Sequence, residues 1–204
     1  GVVGIAEIMD YVGVYSGSER MYDITEKGLE KRTFLQGHAP LLMGKELSAY
    51  AAAGIESDHE SETAEEIREK LRRGMHINLR ASSLVNHMDQ LAEGICQIPY
   101  HDFISVCTDD VHAGDLLTLG HVNKVVRYGI EHGMDPVDVI RMATLNAARE
   151  YGFKDLGALA PGYAADMQLV KDLDGGRPER VWIGGKLAAE KGAYVGADRE
   201  EPLS

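Results

Sequence analysis

Short apolar, β-branched runs alternate along this chain with segments whose apolar positions recur at helical spacing, the pattern of βα units around a parallel sheet. The runs at 2–8, 33–36, 54–57, 75–80 and 103–108 are expected as strands, each followed by a polar or ionisable cluster. Helices are expected at 44–53, 64–73, 86–94, 116–132 and 136–151. Thr63 with Glu66 three residues on predicts a capping box for the second of these, and Asp135-Pro136 supplies a cap and a first-turn proline for the last. After Tyr151 glycine and proline break the chain into short pieces. Strands are expected there at 166–170, 180–183 and 186–189, with Gly184-Gly185 as a hairpin turn. Residues 1–155 therefore read as one α/β unit, and 156–204 as a small β-domain segment with a solvated tail at 198–202.

Composition narrows the function classes. The 204 residues carry 21 Lys and Arg against 33 Asp and Glu, a net charge of -12 that would repel a phosphate backbone, so nucleic acid is excluded as a partner. No apolar run approaches the ~20 residues that a membrane-spanning helix needs, which excludes a membrane partner of that kind. Two cysteines, Cys96 and Cys107, with no C-x-x-C pair, fit a reducing compartment and a cytoplasmic protein. The chain opens on the strand-like Val2-Val3-Gly4-Ile5-Ala6 without a polar lead-in, so it is expected to begin mid-domain.

Five βα-type strands suit either an open doubly wound sheet or part of an eight-stranded barrel. The glycine-rich nucleotide turn that usually accompanies the open sheet is missing from this sequence. Instead, ionisable groups follow the strands: Glu7 ends the first, His38 the second, His59 the third and Asp109 the fifth. Barrel enzymes place their chemistry at that end. One such histidine alone is more often a hydrogen-bonded loop residue. Their common register makes a shared divalent-metal site the better reading, and a bound metal brings the pKa of water toward ~7. Glu60 is a candidate for proton transfer, and Asp110 and His112 could touch a substrate, with helix capping as the competing role. Arg80 suits an ion pair better than a substrate contact. His76, His87, His101, His121 and His132 read as structural or surface residues.

With those residues in view, the chain resembles the amidohydrolase superfamily and, within it, the adenine deaminases. Ala143-Thr144-Leu145-Asn146-Ala147-Ala148 and Gly157-Ala158-Leu159-Ala160-Pro161-Gly162-Tyr163-Ala164-Ala165-Asp166 carry the broad likeness. Gly37-His38-Ala39-Pro40, Ser57-Asp58-His59-Glu60 and Cys107-Thr108-Asp109-Asp110-Val111-His112 carry the narrower one. The resemblance implies a partial TIM-type (β/α)8 barrel, strands 4 to 8, followed by a small β-sandwich-type segment. It implies a binuclear manganese or iron site, with zinc as the alternative, in which Glu7 bridges two metals and His38, His59 and Asp109 are ligands. Asp109 and Glu60 would be the catalytic residues, and Glu60, Asp110 and His112 would line the pocket for a purine base. The implied reaction is hydrolysis of adenine to hypoxanthine and ammonia, with a cyclic amide hydrolase or a non-catalytic scaffold of the same fold as alternatives. The superfamily's His-x-His pair and its first three βα units have no counterpart here, so a complementing amino-terminal segment or a homo-oligomer is expected to complete the structure.

Overall fold

The structure, a computed structural model, describes residues 4–31, 33–86 and 88–196. The expectations for Val2 and Val3, for His87 and for the tail at 198–202 lie outside the described residues.

Strand β1 (Gly4–Ile8) is followed by two helices, α1 (Tyr11–Ser16) and α2 (Glu19–Glu30). Both were missed by the sequence pattern: α2 turns Met21, Thr25 and Gly28 inward with Ile24 packed beside them, but this narrow stripe is set among charged residues. Local capping fixes them instead: Asp10 accepts the Gly13 amide at 2.8 Å and the Ser18 hydroxyl accepts that of Met21 at 3.3 Å. Then come β2 (Phe34–Gly37), α3 (Gly44–Ala52), β3 (Ser57–Asp58), α4 (Ala64–Arg72), β4 (His76–Arg80), α5 (Met88–Cys96) and β5 (Ile104–Cys107).

All five strands are parallel and stand in chain order. β1 pairs with β2, and β3 with β4 and β4 with β5. The step between the two sheets is bridged by the Glu56 amide on the Leu35 carbonyl at 2.9 Å, and the His76 amide continues to the Glu56 carbonyl at 2.7 Å. Gly37 permits this approach, since a Cβ there would lie 2.2 Å from the Ser57 carbonyl oxygen. One core gathers around β4, β5 and the helices behind them, with Ile77, Leu91, Ile95, Ile104, Val125 and Val139 fully buried. A second lies under β1 and α3, around Leu47, Tyr50 and Ile55.

The helix expected over 116–132 is two helices, α6 (Ala113–Thr118) and α7 (Val122–Glu131). Gly120, at φ 98°, breaks the path between them. In α4 only half of the expected capping box forms: Thr63 accepts the Glu66 amide at 3.2 Å, but the Glu66 carboxylate turns to the Glu62 amide at 2.9 Å and into the interior. The expected last helix is α8 (Pro136–Arg141), a π-helical turn (Met142–Asn146) and α9 (Ala147–Glu150). The turn aims the Asn146 amide at the His101 and Ile104 carbonyls, at 2.7 and 2.8 Å, pinning the entry to β5.

The remainder is one antiparallel sheet, β6 (Met167–Leu169), β7 (Arg180–Ile183), β8 (Lys186–Glu190) and β9 (Ala193–Tyr194), in that order. Gly184 and Gly185 make its hairpin turn with φ of 56° and 77°, and β9 was not expected. A second layer of a sandwich is not among the described residues. Among these residues no helix is long and apolar enough to cross a membrane.

Candidate active site

The carboxyl ends of the five parallel strands deliver their ionisable residues to one place. Glu7 lies within β1, His38 directly follows β2, His59 and Glu60 follow β3, Arg80 ends β4, and Asp109 lies two residues past β5. The His59 Nε2 stands 2.9 Å from Glu7 Oε2 and 3.3 Å from His38 Nδ1, with the two rings edge to face. Glu7 Oε2 and His38 Nδ1 are 3.7 Å apart. Glu60 Oε1 lies 3.7 Å from His59 Nε2 and 3.8 Å from His38 Nδ1. Candidate ligand atoms of Glu7, His38 and His59, and those of His59, Glu60 and Asp109, form two groups each within 4.8 Å, sharing His59.

Arg80 closes the far side. Its Nη1 contacts both Glu60 and Asp109, and its Nη2 donates to Glu60 Oε2 at 3.0 Å. The ion pair expected of Arg80 is thus made with two of the candidate site residues. Its buried Nε, like the buried Glu60 Oε1, has no hydrogen-bond partner of proper geometry. Asp109 takes a left-handed backbone, φ 57°.

Asp110 and His112 are exposed and stand outside both donor groups. The Asp110 carbonyl accepts the Ser83 amide at 2.9 Å, and His112 caps α6 by accepting the Gly114 amide on Nδ1 at 3.3 Å. The capping role weighed for His112 in the sequence is thus formed. Of the histidines set aside in the sequence, His121 meets Thr108 Oγ1 at 3.1 Å, next to Asp109. His76 lies at the amino end of β4, bonded to Ser105 at 3.1 Å and 3.3 Å from Glu150 Oε2, beside a cleft of about 510 Å³ remote from the donors. Burial pushes its pKa down to about 4 and that of Glu150 up.

Beneath the donors lies a buried set that the sequence reading missed. Tyr50 from α3 donates to the Ile8 carbonyl at 2.7 Å. Lys70 from α4 pairs with Asp58 at 2.8 Å and Glu66 at 2.5 Å, all three without solvent exposure. Burial opposes charge on Asp58, but Lys70, with hydrogen bonds from Ser61 and Ala39, outweighs it and holds the carboxyl below its ordinary pKa.

The amidohydrolase family model matches residues 1–188. The chain belongs to the amidohydrolase family. Among curated proteins this amidohydrolase is similar to the adenine deaminase of Kosmotoga olearia, 41% identical over 194 residues, covering 95% of this chain and 33% of that protein. It is also similar to adenine deaminase 2 of Carboxydothermus hydrogenoformans, 42% identical over 191 residues, covering 94% and 33%. The chain therefore spans about a third of the length of the curated relatives it matches. Its fold is similar to that of a β-aspartyl dipeptidase from Fervidobacterium islandicum AW-1, at TM-score 0.67 and 20% identity over 98% of this chain and 59% of that one. An N-acetyl-D-glucosamine-6-phosphate deacetylase from Mycobacterium smegmatis gives TM-score 0.64 at 16% identity, covering 84% and 52%. The chain thus shares the TIM-barrel-type, mixed α/β architecture of this superfamily.

Proposed function

We propose that this amidohydrolase chain supplies the metal-holding and proton-transferring part of an adenine deaminase, converting adenine and water to hypoxanthine and ammonia. The observation that carries the reading is the convergence of Glu7, His38 and His59, one residue from each of three consecutive strands, on a single point. Two imidazole nitrogens and a carboxylate oxygen are a donor set for a divalent ion of the zinc, iron or manganese kind, and the buried Glu60 Oε1 beside them, held by the Arg80 guanidinium, adds a further carboxylate oxygen within reach. These residues fit a metal. Glu7, His38, His59 and Asp109 would hold it, in a manganese or iron pair with zinc as the alternative, and it would supply Lewis acidity and a water of lowered pKa.

The protein's own groups do the rest. Asp109 takes the proton from the water attacking C6 and passes it toward the departing amine, and Glu60 is the alternative shuttle. Arg80 keeps both carboxylates on the inner side of the site. Asp110 and His112 reach the purine from the rim. Glu7 stands where a cyclic amide hydrolase of this superfamily would carry a carboxylated lysine, which favours the deaminase.

The strands β1 to β5 then correspond to strands 4 to 8 of a barrel, with residues 1–155 as the barrel unit and 156–204 as part of a β-sandwich-type domain. Among the described strands β1 and β5 are edges, so partner strands, from a complementing amino-terminal segment or another copy, would close the ring. The protein would work in the cytoplasm. The test gives metal-loaded full-length protein adenine, adenosine and a hydantoin in parallel, following ammonia and ring opening. Adenine should react and adenosine should not; preference for the hydantoin would overturn the deaminase reading.

A further inference from the structure

We infer that Lys70 is a positioning residue for the metal site, resting on the reading above, because its buried ammonium ties the loop after His38 to the loop after His59. The side chain has no solvent exposure. An ammonium has three N–H donors, and this one faces four oxygens: the Ala39 carbonyl at 2.7 Å, Asp58 Oδ2 at 2.8 Å, Ser61 Oγ at 3.2 Å and Glu66 Oε1 at 2.5 Å. The two carboxylates then reach main-chain amides of both loops. Asp58 accepts from Ala39 at 2.8 Å and from Glu60 at 3.1 Å, the residues that directly follow His38 and His59. Glu66 accepts from Leu41 at 2.8 Å and Glu62 at 2.9 Å.

Stability alone is a poor explanation for this arrangement. Removing three charged groups from water costs much of what their attraction returns, and apolar side chains of similar volume commonly serve as well or better. Apolar side chains could not receive the four amide protons. Those protons set where the main chain at Ala39 and Glu60 lies, and with it the aim of His38 and His59. Groups that orient metal ligands typically change affinity 10- to 100-fold when removed.

The test compares full-length wild type with Lys70→Met, Asp58→Asn and the double variant Glu66→Gln/Lys70→Met. Mn²⁺ affinity is measured by competition with a chelating dye, and the thermal midpoint is measured on metal-free protein. Lys70→Met should lower Mn²⁺ affinity at least about tenfold. The double variant, which loses one carboxylate charge together with the ammonium, should recover the midpoint toward wild type without recovering the affinity. Asp58→Asn keeps the shape of the side chain and should show the affinity loss even if Lys70→Met fails to fold. Wild-type affinity in the double variant or in Asp58→Asn, or an affinity loss that simply follows the midpoint, would overturn the inference while leaving the metal reading intact. A wild type that binds no Mn²⁺, Fe²⁺ or Zn²⁺ would sink both.

Discussion

The Tyr50 hydroxyl accepts the His38 amide proton at 3.1 Å. The same oxygen donates to the Ile8 carbonyl, so one phenol sets the spacing between the end of β1, where Glu7 lies, and the residue after β2. Burial raises the Tyr50 pKa, and the hydroxyl stays protonated as this donor role requires.

Tyr50→Phe keeps the ring and strands both partners. An unsatisfied buried group costs about 1–3 kcal/mol, so the thermal midpoint should fall. Divalent-metal affinity should fall with it, measured by calorimetric titration; unchanged affinity would mean that Glu7 and His38 find their spacing without the phenol.

Asp109→Asn removes the carboxylate charge proposed to hold metal and take the proton, and one of the two anionic partners of Arg80, while preserving side-chain shape. In the full-length protein, adenine turnover should drop on the order of 10²-fold or more. Steady-state ammonia release checks this, and a loss below tenfold would remove Asp109 from the proton path.

Glu60→Gln is expected to separate metal holding from proton transfer. Metal content by atomic absorption should match wild type, while kcat falls on the order of 10²-fold. A metal-depleted variant would instead make Glu60 a ligand, a role its distance to His59 also permits.

Acid stability should depend on His76. Burial moves its pKa from 6.5 to about 4, so the unfolded chain binds a proton that the folded chain refuses between those values. Its contribution is complete above pH 6.5 and is lost as pH falls toward 4, amounting to on the order of 3 kcal/mol. Glu150 has the opposite sign: its raised pKa favours the neutral form, and that contribution fades as pH rises through it. Denaturant titrations of His76→Gln should therefore show a shallower loss of stability between pH 6.5 and 4 than wild type. An unchanged slope would place the acid sensitivity elsewhere.

The donors were legible in the sequence because a short parallel strand delivers its next residue to the sheet's carboxyl end almost regardless of what packs behind it. His38 and His59 needed only that local rule, whereas Glu7 lies inside β1 and Asp109 two residues past β5, so their delivery depends also on how those strand ends turn. Lys70 was not legible, because a lysine four residues after a glutamate in a helix as polar as α4 carries no mark that sets it apart from an ordinary surface pair. Only tertiary packing reveals that this face is inside. The break at Gly120 was hidden by the apolar periodicity on both sides, and α1 and α2 by the narrowness of theirs, carried by Tyr11, Val14, Met21 and Ile24. For His112 the sequence left a substrate contact and a helix cap side by side, and the cap on α6 is formed.

The left-handed backbone at Asp109 narrows the residues that can stand there, apart from any chemistry they perform. That region is steeply unfavourable for most side chains, and aspartate, asparagine and glycine enter it most readily. Of these only aspartate carries a charge. The turn after β5 therefore selects between the two acidic amino acids before reach or basicity is considered: glutamate would bring the right functional group on a main chain that resists it. Asparagine keeps the turn and loses the carboxylate, which makes it the substitution that isolates chemistry from shape.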